Sequence, residues 1–154
     1  MNIYYLDISA LVKRYVDETG SVWLRALIDP ALRPLVTLSY LAVAEMTSAF
    51  RRRAREGLSA TADYARVQAA FRGDCLNEFH LVPINAPVID LAGQLIERHP
   101  LRTLDALHLA TGLTIQSFFA TNGLPSLTFA SADDRLLVVA SAEGLATQNP
   151  VHHL

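Results

Sequence analysis

Short, nearly all-apolar blocks alternate along the chain with longer stretches whose apolar residues recur every three or four positions. The blocks predict strands at 2–7, 34–38 ("PLVTL"), 80–84 ("HLVPI"), 126–131 ("SLTFAS") and 145–149. The periodic stretches predict helices at 9–17, 21–28, 39–57, 59–78, 86–98, 103–119 and 133–143. Ser9, Ser21, Ser39, Ser59 and Thr103 stand where N-caps belong, and Gly57 and Gly144 where helices should stop. Strands alternating with helices imply a mainly parallel sheet covered on both faces. The expectation is a three-layer α/β/α domain of four to five strands spanning 1–154 as one unit, with no repeat or linker to divide it.

In open parallel sheets, ligands bind beyond the carboxyl ends of the strands. Asp7, the first charged residue, ends the strand "IYYL" at such a place, where neither hydrophobicity nor turn chemistry requires a charge. Asp133 follows the strand "SLTFAS", with Asp134 directly behind it. Asp105 falls in the first turn of the helix starting near Thr103. Glu45 lies within the helix 39–57 and shares a face with Leu41, Ala42, Ser48 and Ala49, so it either meets a polar site or suffers burial. Each acid has a bland reading as well. First-turn aspartates favour the helix dipole, and glutamate is a good helix former. Ser9, as the cap, leaves Asp7 the hardest to explain away.

Composition narrows the picture. The chain is 51% hydrophobic and 18% charged, as expected of a compact soluble domain. No apolar run reaches the roughly 18 residues of a membrane span, and no basic region precedes an apolar stretch as in a secretory signal. The lone Cys75 forms no internal disulfide and suits a reducing compartment, so the expectation is cytoplasmic, without membrane contact. The terminal "VHHL" reads as a frayed end. The net charge of −2 does not advertise nucleic-acid binding, but the distribution is uneven. Lys13 is the sole lysine, and four arginines crowd into "RRRAR", Arg51 to Arg55. That run is either a solvated helix face or a phosphate-contacting patch.

Carboxylates converging on one pocket raise one another's pKa values unless a cation sits among them. Oxygen donors without cysteine or histidine pairs suit Mg²⁺ or Mn²⁺, not zinc. Such a site activates water and steadies the leaving oxygen in phosphodiester hydrolysis. Rival chemistries fit less well: position 9 is Ser9 where a phosphoaspartyl DxD motif needs a second Asp, and the glycine-rich dinucleotide, P-loop and G-x-S-x-G motifs are missing.

"YLDISALVKRY", "SYLAVAEMTSAFRRRAREG", "TLDALHLAT" and "FASADDRLLVVASAEGL" together resemble, in order and spacing, the acidic motifs of PIN-domain ribonucleases, above all the VapC-like toxins of type II toxin–antitoxin systems. The resemblance runs from residue 3 to about 149, with a somewhat long stretch at 115–125. It implies a PIN-like fold and a metal-dependent endoribonuclease holding Mg²⁺ or Mn²⁺ through Asp7, Glu45, Asp105 and Asp133, with Asp7 and Asp105 as main ligands. Ser9 and Ser131 become polar supports, and Asp133 is preferred over Asp134 as the fourth carboxylate. His108, one turn after Asp105, reads as a packing residue or as a partner behind the carboxylates. Arg52, two turns after Glu45, points toward the rim of the acidic pocket, with Arg51, Arg53 and Arg55 fanning out to either side. The implied partners are an RNA substrate, a cognate antitoxin and a second copy of the chain. The alternative is a PIN-like module that binds RNA or protein without cutting it.

Overall fold

A computed structural model describes residues 1–57 and 61–153. Five parallel strands form one sheet: β1 (Ile3–Leu6), β2 (Leu35–Ser39), β3 (Phe79–Val82), β4 (Leu127–Ala130) and β5 (Ala146–Gln148), in the order β3-β2-β1-β4-β5. The seven α-helices of the described residues are α1 (Ile8–Leu11), α2 (Ser21–Leu27), α3 (Leu41–Arg55), α4 (Thr61–Asn77), α5 (Ala86–Arg98), α6 (Thr103–Thr121) and α7 (Asp134–Ala142). Side-chain alternation sorts them into layers. On β1, Tyr4 and Leu6 pack with residues of α1 to α4, whereas Ile3 and Tyr5 pack with α5, α6 and α7. This is the three-layer α/β/α arrangement, and β1 is buried along its whole length as a central parallel strand should be.

The chain runs outward from β1 through β2 to β3, then returns to the other side of β1 as β4 and β5. The order therefore reverses between β1 and β4, and a crevice opens beyond their carboxyl ends. Helix α6 lies tight against this part of the sheet. A Cβ at Gly112 would stand 3.0 Å from Phe129 Cδ2, so glycine allows the close approach. Tyr5, fully buried, stacks on Phe129 with centroids 5.1 Å apart, an aromatic contact worth about 0.5–1.5 kcal/mol beyond its buried area.

Several local expectations are corrected. The segment 9–17 forms only α1 and a 3₁₀ turn at Val12–Arg14. The cap of α1 is Asp7 itself, not Ser9: Asp7 Oδ1 accepts from the Ala10 amide at 3.0 Å. Gly20 caps α2, while Ser21 Oγ donates to the Val16 carbonyl and accepts from the Glu18 amide. Arg102, not Thr103, is the cap of α6. Tyr40 stands at the cap position of α3, although Ser39 Oγ accepts from the Leu41 amide at 3.2 Å. Ser59 lies outside the described residues. The C-terminus is not frayed through His153. Pro150–His152 form a 3₁₀ turn, His153 stacks on Trp23 at 4.0 Å, and His152 reaches Asp134. Among the described residues, no helix is long and apolar enough to cross a membrane.

Candidate active site

The crevice at the carboxyl ends of β1 and β4 is an open cleft of about 520 Å³, and Asp7, Glu45, Asp105 and Asp133 all line it. Each arrives on a different element. Asp7 directly follows β1, Asp133 follows β4 as the cap of α7, Glu45 sits on α3, and Asp105 lies in the first turn of α6. Asp134 turns away, where Asn149 Nδ2 donates to Oδ1 at 2.7 Å. Of the two adjacent aspartates, only Asp133 opens onto this cleft.

Asp7 is almost fully buried and heavily bonded. Besides the Ala10 amide, Oδ1 accepts from Ser9 Oγ at 2.7 Å, and Oδ2 accepts from Ser131 Oγ at 2.6 Å. A hydroxyl has one hydrogen to give. With both given to Asp7, the 3.2 Å approach of Ser9 Oγ to Ser131 Oγ is a contact between acceptors, not a further bond. The serines accept in turn, Ser9 from the Ala132 amide and Ser131 from the Asp133 amide, so the loop after β4 is stitched to the carboxylate after β1. Burial pushes the Asp7 carboxyl above its ordinary range, and the bonds from Ser131, Ser9 and Ala10 oppose that without cancelling it.

Asp105 is held differently. Among the described residues, no hydrogen bond or ion pair engages its carboxylate. Its pKa is raised, first by partial burial and then by repulsion from Asp133 and Asp7. This is the mutual effect expected of acids sharing one site.

Glu45 joins a chain that crosses all three layers. His108 Nε2 lies 2.7 Å from Glu45 Oε1, and His108 Nδ1 lies 2.6 Å from the Tyr5 hydroxyl. A carboxylate only accepts, so Nε2 carries a proton and donates to Glu45. Burial, with repulsion from Asp7 and Glu45, lifts the Tyr5 hydroxyl well above its ordinary pKa. With the Tyr5 hydroxyl on Nδ1 and Glu45 on Nε2, both ring nitrogens are engaged and the ring is fixed in one orientation. His108 is thus a satisfied buried histidine that also holds a site carboxylate in place. Tyr5 was not singled out by the sequence, because a tyrosine in an apolar strand carries no mark of its hydroxyl partner.

The cleft also has cations. Lys13, Arg52, Arg53 and Arg102 line it, as does Glu18. Arg52 is exposed at its edge, on the side of α3 that carries Glu45. Arg51 instead lies over the Tyr64 ring at 4.8 Å. Lys13 is buried and donates to Glu18 Oε1 at 2.9 Å, and Arg53 donates to Glu18 Oε2 at 2.8 Å. Lys13 is marked in the sequence as the only lysine, and it lies beside the buried Val12 on a short helical turn.

As placed, the carboxylates do not form a coordination sphere. Among the described residues, no group of three or more His, Cys, Asp or Glu stands in metal-holding geometry. Asp7 is turned to its serines, Glu45 to His108, and Asp133 to the Arg135 amide at 2.9 Å. The donors are nonetheless hard oxygens, and the repulsion on Asp105 is what a divalent cation would relieve.

Comparison with known proteins decides the family. The sequence model of the PIN domain matches residues 4–140. The chain belongs to the PIN-domain family. Ribonuclease VapC45 of Mycobacterium tuberculosis is 34% identical over 144 residues, covering 94% of this chain and 93% of that protein. Ribonuclease VapC49 of the same species matches equally. Among solved structures, VapBC2 from Rickettsia felis, bound to a DNA fragment from its promoter, superposes with a TM-score of 0.63 at 14% identity, over 96% of this chain and 98% of that one. Mycobacterium tuberculosis VapC20, a sarcin–ricin loop cleaving toxin, does so at 0.60 and 17%, over 93% and 96%. At these identities the two structures speak for the fold, which this PIN-domain chain shares.

Proposed function

We propose that this PIN-domain protein is a metal-dependent endoribonuclease, the toxin of a toxin–antitoxin pair, which hydrolyses RNA phosphodiester bonds with Mg²⁺ or Mn²⁺. The observation that carries the reading is Asp105: a carboxylate without a hydrogen bond among the described residues, repelled by Asp133 and Asp7, at the switch point of a parallel sheet. The likeness to ribonucleases VapC45 and VapC49 supports ribonuclease activity, and the likeness to the VapBC2 complex of Rickettsia felis supports an antitoxin partner. A second copy of the chain is the other partner, supported by exposed apolar side chains such as Phe118 at 62% exposure on α6.

Asp7, Glu45, Asp105 and Asp133 are the residues that would hold the cation, with Asp7 and Asp105 foremost. When bound, the metal supplies an activated water and neutralises charge at the phosphodiester under attack. Ser9 and Ser131 keep both Asp7 oxygens aimed, His108 keeps Glu45 from rotating away, and the α6–sheet contact at Gly112 holds Asp105 on the rim. The basic residues on the same cleft offset the repulsion that an acidic centre exerts on RNA.

A non-catalytic RNA- or protein-binding module is the second reading, favoured by the lack of metal-holding geometry among the described residues. Incubation of labelled single-stranded RNA with the purified protein, in Mg²⁺, in Mn²⁺ and in chelator, separates the two. Cleavage that needs the metal is expected. RNA bound and left whole under all three conditions would establish the binding module instead.

A further inference from the structure

Lys13, Glu18 and Arg53 form a linear ion network on the wall of the cleft, and neither the acid chemistry nor the packing uses it up. Lys13 Nζ can donate three hydrogen bonds and the Arg53 guanidinium five. Among the described residues each makes one, to opposite oxygens of the same carboxylate, Glu18 Oε1 at 2.9 Å and Oε2 at 2.8 Å. The Lys13 side chain is 6% exposed, that of Arg53 24% and that of Glu18 29%. A nearly buried ammonium normally exhausts its donors, because desolvating a charge is costly unless it is fully paired. Here unspent donors of both cations border a cleft that also holds Asp7 and Asp105.

The geometry points to a phosphate seat. Two cations bridged by the two oxygens of one carboxylate present what two oxygens of a phosphodiester would take up, and arginine's fork suits either anion. We infer that Lys13 and Arg53 bind an RNA backbone phosphate beside the acidic cluster, and that Glu18 fills this seat until RNA displaces it. The inference rests on the ribonuclease reading for the identity of the nucleic acid. Glu18 also borders a neighbouring cleft, lined by Arg66 together with Asp17 and Asp63, into which its displaced carboxylate would turn. Its backbone stays anchored meanwhile, since the Glu18 amide is bonded to Ser21 Oγ and its carbonyl accepts from the Ser21 amide.

The test is binding of a short single-stranded RNA in chelator, where no metal-dependent turnover interferes, across a salt series. The variants are Glu18→Gln, Arg53→Gln and Lys13→Met, the last keeping the buried stem. Glu18→Gln should tighten binding by about three- to fivefold, the worth of one part-exposed ion pair. Arg53→Gln and Lys13→Met should each weaken it and flatten the slope of log K against log salt by about 0.7, the loss of one contact to a single strand. Both readings lower the melting temperature of Glu18→Gln, since Glu18 pairs both cations, but a purely structural network leaves RNA binding unchanged or weaker. That result, or an unchanged salt slope in Arg53→Gln, overturns the seat even if the protein cuts RNA. Wild type that binds RNA and never cuts it overturns the nuclease reading alone, and wild type that binds no RNA overturns both. Should Lys13→Met fail to fold, Arg53→Gln and Glu18→Gln decide the matter between them.

Discussion

Asp133 and Asp134 are neighbours in the chain and open onto different clefts of nearly equal volume, about 520 Å³ at the switch point and about 530 Å³ beside β5. Size does not tell the two apart; the state of their acids does. In the cleft beside β5, Asp134 is bonded to Asn149 and His152, and its carboxyl is held below the ordinary range, chiefly by the Asn149 bond. It is a satisfied acid that ties the C-terminal turn to α7. In the switch-point cleft, Asp105 has no such bond among the described residues, and burial and its neighbours push its carboxyl upward. Asp134 is spent on its own structure, whereas Asp105 is kept at a cost in stability. Groups kept in disfavoured states mark function more reliably than a hollow does.

The sharpest way to break this comparison is by activity. Asp105→Asn or Asp7→Asn should abolish metal-dependent RNA cleavage, whereas Asp134→Asn should leave its rate unchanged. Disturbing the partners behind a metal ligand typically costs about 10- to 100-fold, so removing a ligand itself should cost more. Single-turnover cleavage of labelled RNA measures all three. Full activity in Asp105→Asn would end the assignment of that cleft, and loss of activity in a folded Asp134→Asn would erase the distinction between the two.

The fold and the four acids were legible for a common reason. Strand blocks and helical periodicity place element ends, and Asp7 and Asp133 are defined by where strands stop. What stayed hidden depends on contacts between residues far apart in the chain. Nothing in "LDIS" says whether Asp7 or Ser9 caps the helix, because the answer lies in Ser131 drawing Oδ2 aside and leaving Oδ1 for the Ala10 amide. The Tyr5–His108–Glu45 chain links residues up to 103 positions apart. The terminal histidines looked idle because their partners, Trp23 and Asp134, are on other elements.

Stability can sharpen the structural half of the comparison. Gly20 has φ of 87°, and a Cβ there would stand 2.4 Å from the Pro150 carbonyl oxygen. Gly20→Ala should therefore lower stability by about 1–3 kcal/mol for the backbone strain alone, with the clash in addition. Chemical denaturation reads this directly. A neutral result would show that the C-terminal turn, which Asp134 helps to anchor, is not a fixed part of the fold.

The two aspartates should also give opposite signs in the pH dependence of stability. The folded pKa of Asp105 is raised, so the native state binds its proton more tightly than the unfolded chain does, and stability is lost as pH rises through that raised value. At neutral pH the penalty is fully present. Asp105→Asn should then raise the melting temperature by about 1–3 °C at pH 7, with the advantage vanishing in acid. Asp134 is lowered, so its contribution is present at neutral pH and fades as pH falls through the folded value. Its Asn variant should lose a smaller amount at pH 7. Mg²⁺ or Mn²⁺ should stabilise wild type, by about 2.7 kcal/mol at a hundred times Kd, and stabilise Asp105→Asn far less. Thermal melts with and without metal check both halves, and a destabilised Asp105→Asn would make that carboxylate structural.

The smallest effect concerns the rim. Arg52 is exposed at the switch-point cleft and has no ion-pair partner among the described residues, unlike Arg53, which is tied to Glu18. An unpaired surface arginine contributes little to stability, so Arg52→Ala should leave the melting temperature within error. If the cleft draws RNA past its own acids, the same change should weaken binding evenly across RNA sequences and flatten the salt slope by about 0.7, one phosphate contact on a single strand. An arginine serving only an antitoxin would leave that slope alone and reduce co-purification of the complex. Measured together, salt slope and co-purification assign Arg52 to RNA or to the protein partner, and no change in either would return "RRRAR" at this position to a solvated helix face.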